Sequence, residues 1–235
     1  MAKRSALIGA ATTAVFCAGL IVYAGDLNPP AGPVNPTHKT LTEVEPRTPI
    51  HQSDIPLTIS TPGSYYFAEH IFAVGFGSPV IRVIADDVAI DLRGFTLYGA
   101  TEVSIASDGI QYDNGADNLV VENGTIRDCG ESGISFVTGT DGTGVFRNLQ
   151  ILNNADAGID MSGSFIRVTD CSVIGNTGAG VVATALLMRD CFVQGNGSTG
   201  VTAFDGLIQS NAVLGNGGGN NIVMLSGLVT ENRAP

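Results

Sequence analysis

Tryptophan is absent from the 235 residues, tyrosine stops at Tyr112, lysine stops at Lys39, and the three histidines (His38, His51, His70) all lie near the start. Each absence removes a class of chemistry. With no imidazole beyond His70, a histidine-activated cysteine or serine cannot be assembled in the rest of the chain. The cysteines (Cys17, Cys129, Cys171, Cys191) form no doubled C-x-x-C and have no histidine partners, which excludes an ordinary zinc site. With no Trp, and no Tyr after Tyr112, the chain offers few of the aromatic platforms on which sugar-binding grooves usually rely. Charged residues make up only 14% against 44% apolar, which excludes disorder, since disorder needs low hydrophobicity and high charge. The formal net charge of -11 makes nucleic acid and anionic membrane surfaces poor partners for the whole molecule.

Long apolar runs are missing too, with one exception. Behind Lys3 and Arg4, residues Ser5 to Ala24 carry no charge. Residues 1–25 read as a secretory signal peptide cleaved near Ala24 or Gly25. The alternative is an uncleaved anchor, because about 20 apolar residues can cross a bilayer. Either reading places the body outside the cytoplasm, and without an uncleaved anchor no membrane contact is expected. Bulky Phe16 argues against Cys17 as a lipidated cysteine. After cleavage three cysteines remain, an odd number that leaves at least one unpaired or intermolecular.

What is present is glycine, 31 of them, with abundant Asn, Val and Ile, the composition of short strands and tight turns. Residues 26–38 are a proline-rich linker, with four prolines between Asp26 and Pro36. Residues 39–77 read as an N-terminal cap. Thr40-Leu41-Thr42-Glu43 has the spacing of a capping box, Pro46 ends that short helix, and Thr48 to Asp54 is turn-rich. Ile55–Ser60 and Ser64–Phe67 then read as strands around the Thr61-Pro62-Gly63 turn.

Residues 78–235 are periodic, and self-similarity at a fixed period outranks other signals. Asn123, Asn148, Asp170, Asp190 and Ser210 align at steps of 25, 22, 20 and 20 residues. Two positions earlier lie Val121, Phe146, Val168, Met188 and Ile208; three later lie Ile126, Ile151, Val173, Val193 and Val213. A second turn column is Cys129, Asn154, Asn176, Asn196 and Asn216, and Gly133, Gly158, Gly180 and Gly200 each precede Ile or Val. Roughly twenty residues suffice for three short strands and their turns. Coils stacked at the strand spacing of about 4.8 Å turn such columns into ladders, with alternate residues forming a continuous core. The fold class is therefore all-β, a right-handed parallel β-helix of about seven coils, with Ala100–Ser107 looping out. Runs of four to six residues between turns exclude a helical solenoid. Leu228–Asn232 ends the repeats without an amphipathic helix, so a self-associating or shielded C-terminal coil is expected.

The runs DDVAIDLRGFTL (Asp86–Leu97), NLVVENGTIRDC (Asn118–Cys129) and RVTDCSVIGNTGAGV (Arg167–Val181) resemble exported bacterial right-handed β-helix proteins of the pectate-lyase-like superfamily. The resemblance spans about residues 37–232 and implies the fold; its members include lyases, hydrolases, epimerases and many proteins without assigned function, so it leaves activity open. Hydrolases of that group pair two aspartates and add His and Lys elements. Asp86-Asp87 is the one such pair here, and its place between two strands reads as a turn. Lyases of the group hold acidic sugar through Ca²⁺, with an arginine or lysine as base. Arg147 and Arg189 share one column and Arg167 lies two residues from it, so all three project outward on one face, with Arg127 on the next. Such a ridge suits a polyuronate; it equally serves as a solvated charged face. The nearest carboxylates for Ca²⁺ are Asp156 and Asp160.

Three further features stand beside the ridge. Leu152, Ile174, Gln194 and Leu214, with Phe192, form an apolar outer stripe suited to a partner or to cover by a loop. Cys171 and Cys191 fall at one coil position a turn apart, within disulfide reach or as inward-facing thiols. Asn123-Gly124-Thr125 and Asn196-Gly197-Ser198 match a glycosylation pattern that Asn-Gly turns explain as well. The sequence thus favours an exported, non-catalytic scaffold binding a polysaccharide or a surface protein. The alternative is a Ca²⁺-dependent polysaccharide lyase acting on acidic glycans.

Overall fold

The computed structural model describes residues 45–73, 77–99, 107–113, 117–137 and 142–233. The apolar N-terminal segment, the proline-rich linker, the Thr40–Glu43 helix and most of the Ala100–Ser107 loop lie outside the described residues.

All named strands belong to one parallel sheet that winds through three faces. β1 (Thr48–Ile50) precedes a first coil of β2 (Leu57–Ile59), β3 (Gly63–Phe67) and β4 (Ile71–Phe72). The second is β5 (Ile81–Val83), β6 (Val88–Asp91) and β7 (Thr96–Tyr98). The next two are β8 (Ile110–Tyr112) with β9 (Leu119–Arg127), and β10 (Ile134–Phe136) with β11 (Thr143–Leu152). Then come β12 (Ile159–Thr169) with β13 (Ser172–Ile174), β14 (Val181–Arg189) with β15 (Phe192–Gln194), and β16 (Val201–Gln209) with β17 (Ala212–Leu214). β18 (Ile222–Met224) and β19 (Leu228–Thr230) open an eighth coil. Seven coils are complete, as the period requires.

Each long strand turns a corner at the first turn column. Asn123, Asn148, Asp170, Asp190 and Ser210 all have φ between 52° and 60°. That left-handed conformation favours Asn and Asp, whose short polar side chains bond locally. The second column is a bonded ladder: the Oδ1 atoms of Asn154, Asn176, Asn196 and Asn216 each accept the backbone N–H of the residue one coil earlier, at 3.0 to 3.1 Å. The glycine column answers a close approach rather than a special φ. A Cβ at Gly158 or Gly180 would lie 2.8 or 2.3 Å from the next coil's carbonyl oxygen.

Inward columns build the core. Val121, Phe146, Val168, Met188 and Ile208 are buried, as are Ile126, Ile151, Val173, Val193 and Val213. The strands on the two sides of residue 77 pair with one another. Thr48, Pro49 and Ile50 pair with Tyr65, Tyr66 and Phe67, and β2, β3 and β4 continue in register into β5, β6 and β7. Residues 48–73 thus stack in register on the coils that follow, and Thr48–Ile50 is strand rather than turn. Pro49 disguises it, because proline reads as a strand breaker yet sits without loss on an edge strand.

Candidate functional site

β9, β11, β12, β14, β16 and β19 share one face, and strand alternation sends every second residue outward. Register defines three outward columns there. The first holds Thr143, Phe165, Ala185 and Asp205. The second holds Val120, Val145, Arg167, Leu187, Leu207 and Leu228. The third holds Glu122, Arg147, Thr169, Arg189, Gln209 and Thr230.

The three ridge arginines occupy different electrostatic situations. Arg147 donates through Nε to Glu122 one coil earlier, a bond that raises the guanidinium pKa. It is a tethered, structural cation. Arg189 donates through Nη2 to the neutral Oε1 of Gln209 at 2.9 Å. Arg167 is exposed and, among the described residues, has no hydrogen-bond or ion-pair partner. It lines a shallow open groove of about 560 Å³ that runs over Val145, Phe165, Leu187 and Leu207. Phe165 is half exposed beside it, two residues away on the same strand face. Arg127 stands on the neighbouring face and is bound through Nε to Asp128 at 2.6 Å.

The apolar lining of this groove is the feature that column counting passed over. Alternation from Arg167 points directly to Phe165, and the twenty-residue step points to Leu187. The stripe expected on the neighbouring face is present in register, Arg127–Leu152–Ile174–Gln194–Leu214, but its three aliphatic members are half-buried.

The two carboxylates named for Ca²⁺ are not brought to the ridge. Asp156 lies in the turn before β12, and Asp160 projects from another face, where it accepts the Ser162 hydroxyl at 2.6 Å. Among the described residues no three His, Cys, Asp or Glu side chains are grouped to hold a metal ion. Nearby, Asp108 is buried and accepts from Ser132 N–H, Ser135 Oγ and Gln111 Nε2; burial raises its pKa, with Asp156 acting in the same sense.

Cys171 and Cys191 are neighbours in one inward column, but they stand as two buried thiols and not as a disulfide. Each Sγ lies 3.1 Å from the carbonyl oxygen two residues upstream, Thr169 O and Arg189 O. The Cys191 thiol is pushed up by its hydrogen bond to Cys171 and by burial. Asp86 and Asp87 sit at a corner, where Asp86 accepts Asp117 N–H and Asp87 accepts Asn118 Nδ2. They are turn residues.

No curated protein matches the chain. Among solved structures it is similar to the A-module of the mannuronan C-5 epimerase AlgE4 of Azotobacter vinelandii, at 12% identity and a TM-score of 0.45, over 72% of this chain and 69% of that one. The A-module of the mannuronan C-5 epimerase AlgE6 of the same organism aligns at 12% identity and a TM-score of 0.40, over 72% and 68%. ORF18 of Geobacillus virus E2 aligns at 13% identity and a TM-score of 0.39, over 74% of this chain and half of that one. Residues 91–232, from the end of β6 through β19, match the right handed beta helix region, and the chain belongs to that family.

Proposed function

We propose that this protein is an extracytoplasmic, non-catalytic β-helix scaffold that binds acidic polysaccharide in the groove over Arg167. The observation that carries the reading is Arg167 itself, an exposed guanidinium that has no carboxylate partner among the described residues of a protein of net charge -11. A guanidinium fork bonds a carboxylate through two parallel N–H donors, and a cation not already paired inside the protein is free to do so. Phe165 offers an aromatic face to the C–H side of a sugar ring. Arg189, one coil on and two residues along, supplies a second donor to a neighbouring uronate. The uncharged stretch from Ser5 to Ala24 supports export.

The test is retention of the protein on immobilised polyuronates against a neutral glucan. Arg167→Ala should weaken binding about tenfold or more, a loss of about 1.4 kcal/mol, and salt should weaken it further. Arg147→Ala should change little, because Glu122 already holds that cation. The same samples are followed at the absorbance of unsaturated products, with Ca²⁺ and with chelator. Ca²⁺-dependent product that is lost in Arg167→Ala or Arg189→Ala would replace this reading with a lyase, and equal retention on neutral and acidic glycan would remove the acidic ligand.

A further inference from the structure

The groove over Arg167 follows the direction in which the coils stack. Its lining begins at Asn118 and Thr143, passes Val145, Arg167 and Leu187, and ends at Gly206 and Leu207. Those residues belong to successive coils, set about 4.8 Å apart, and an extended pyranoside chain advances by about one coil height per sugar. A glycan lying along the groove therefore presents about one sugar to each coil.

Charge changes along that row. Uncompensated cations stand only in its middle: Arg167 has no partner, and Arg189 on the next coil bonds the neutral Gln209 and no carboxylate, among the described residues. Towards β9, Arg147 is neutralised by Glu122, and the apolar Val145 faces the groove. At that rim the exposed Asp117 accepts from the Thr143 hydroxyl, a bond that lowers its pKa and keeps the carboxylate ionised. Towards β16 the lining is Leu187 and Leu207, and the exposed Asp205 continues the outward column of Phe165 and Ala185. Asp205 Oδ1 accepts the N–H of Gly206, itself a lining residue, at 2.8 Å. From β9 to β16 the coils thus read acid, apolar, base, base, and acid beside Leu207.

A uniformly charged polyuronate lays carboxylates over Val145 and Leu207 as well. There they lose water without gaining a partner, and they meet Asp117 and Asp205. A short uronate block meets the two arginines alone, and its uncharged neighbours set their C–H faces on the apolar lining. Building on the reading of this groove as a site for acidic polysaccharide, we infer that its ligand is a sparsely charged glycan, in which short uronate blocks are flanked by uncharged sugars. Asp117 and Asp205 set this preference by rejecting charge at the ends of the groove. Polyuronate still binds over Arg167 and Arg189, but more weakly.

The experiment compares the affinity of the full chain for gellan and for polygalacturonate, at equal uronate concentration and fixed ionic strength. Gellan is a linear glycan with a single glucuronate in each otherwise uncharged repeat. It should bind about tenfold tighter or more, and Arg167→Ala should weaken both glycans. Asp205→Asn keeps an acceptor for Gly206 N–H, so its circular dichroism should match the parent. That variant, and Leu207→Lys, should tighten polygalacturonate about threefold or more while leaving gellan nearly unchanged. Polygalacturonate bound as tightly as gellan by the parent, and lost in Arg167→Ala, overturns the inference and leaves the acidic-polysaccharide reading standing. So does a preference for gellan that neither Asp205→Asn nor Leu207→Lys reduces. If neither glycan binds, or both bind regardless of Arg167, the reading and the inference fall together.

Discussion

At the N-terminal end Ile50, Ile59, Phe67 and Ile71 are buried, while at the C-terminal end, in the same kinds of inward column, Met224 is half-buried against the core and Val229 is open to solvent. The strands are alike in length and register. What differs is the chain around them. β1 adds a ninth layer on one face, and the turn His51–Pro56 brings Ile55 over the core, where it is 8% exposed. Asp54 Oδ2 accepts the His51 N–H at 2.8 Å and Gln52 bonds the Phe72 backbone in both directions, so this closure is hydrogen-bonded as well as apolar. A solenoid core is continuous in one dimension, and each coil buries its neighbour. The terminal coil is the one place where burial depends on something outside the repeat.

The sharpest way to break this comparison is to delete core at both ends. Phe67→Ala removes a fully buried ring between closed coils and should cost about 3–5 kcal/mol. Val229→Ala should cost about 1 kcal/mol or less, because nearly half the side chain is already in water. Urea denaturation reads both. Equal losses would show that the last coil is covered.

A second pair applies the same test to polar groups. Asn176 is buried, accepts from Asn154 N–H and Nδ2, and donates to Asn196 Oδ1 and Ile151 O. Asn176→Ala strands those partners away from water and should cost about 2–4 kcal/mol. Asn232 makes comparable bonds to Asn211 and Ile208 at the open end, where water can replace them, so Asn232→Ala should cost about 1 kcal/mol. If the two losses coincide in denaturation, the amide bonds of the last coil are no wetter than those of the middle coils.

The architecture was legible because each requirement of a coil falls on a residue type: left-handed corners on Asn148 or Asp170, close approach on Gly158, amide ladders on Asn176. Five columns in register reinforced each other. The first coil was not legible, since Pro49 and the uneven spacing before Val80 break every column at once. The outward direction of Arg147, Arg167 and Arg189 followed from alternation, but their inequality did not. Whether a cation is tied to Glu122, to Gln209 or to nothing depends on the neighbour one coil away, and insertions of two to five residues shift which neighbour that is. Phe165 escaped notice for a related reason: it lies beyond Gly163, at a bulge between Met161 and Phe165 that displaces the count along β12.

The smallest expected effect concerns charge, which is also distributed unequally between the ends. The acids that meet inside the fold lie in the coils of β8 to β12, whereas residues 206–233 contain a single acid. Burial raises the Asp108 pKa above its ordinary 3.8 although three hydrogen bonds oppose the shift, and burial raises Glu131 in the same way. The folded state thus holds this proton more tightly than the unfolded chain. Its contribution is full below the ordinary value and is lost as pH rises through the raised one. Asp108→Asn keeps an acceptor for Ser132 N–H but cannot ionise. As the pH rises above about 4 the parent should therefore lose stability relative to this variant, read as the difference in melting temperature along the pH series. Parallel curves would mean that water reaches Asp108 and that this corner is as open as the C-terminal end. A converging pair, with amide exchange quickening first around Ser132 and Ser135, would place the pH-sensitive layer in the closed half of the solenoid.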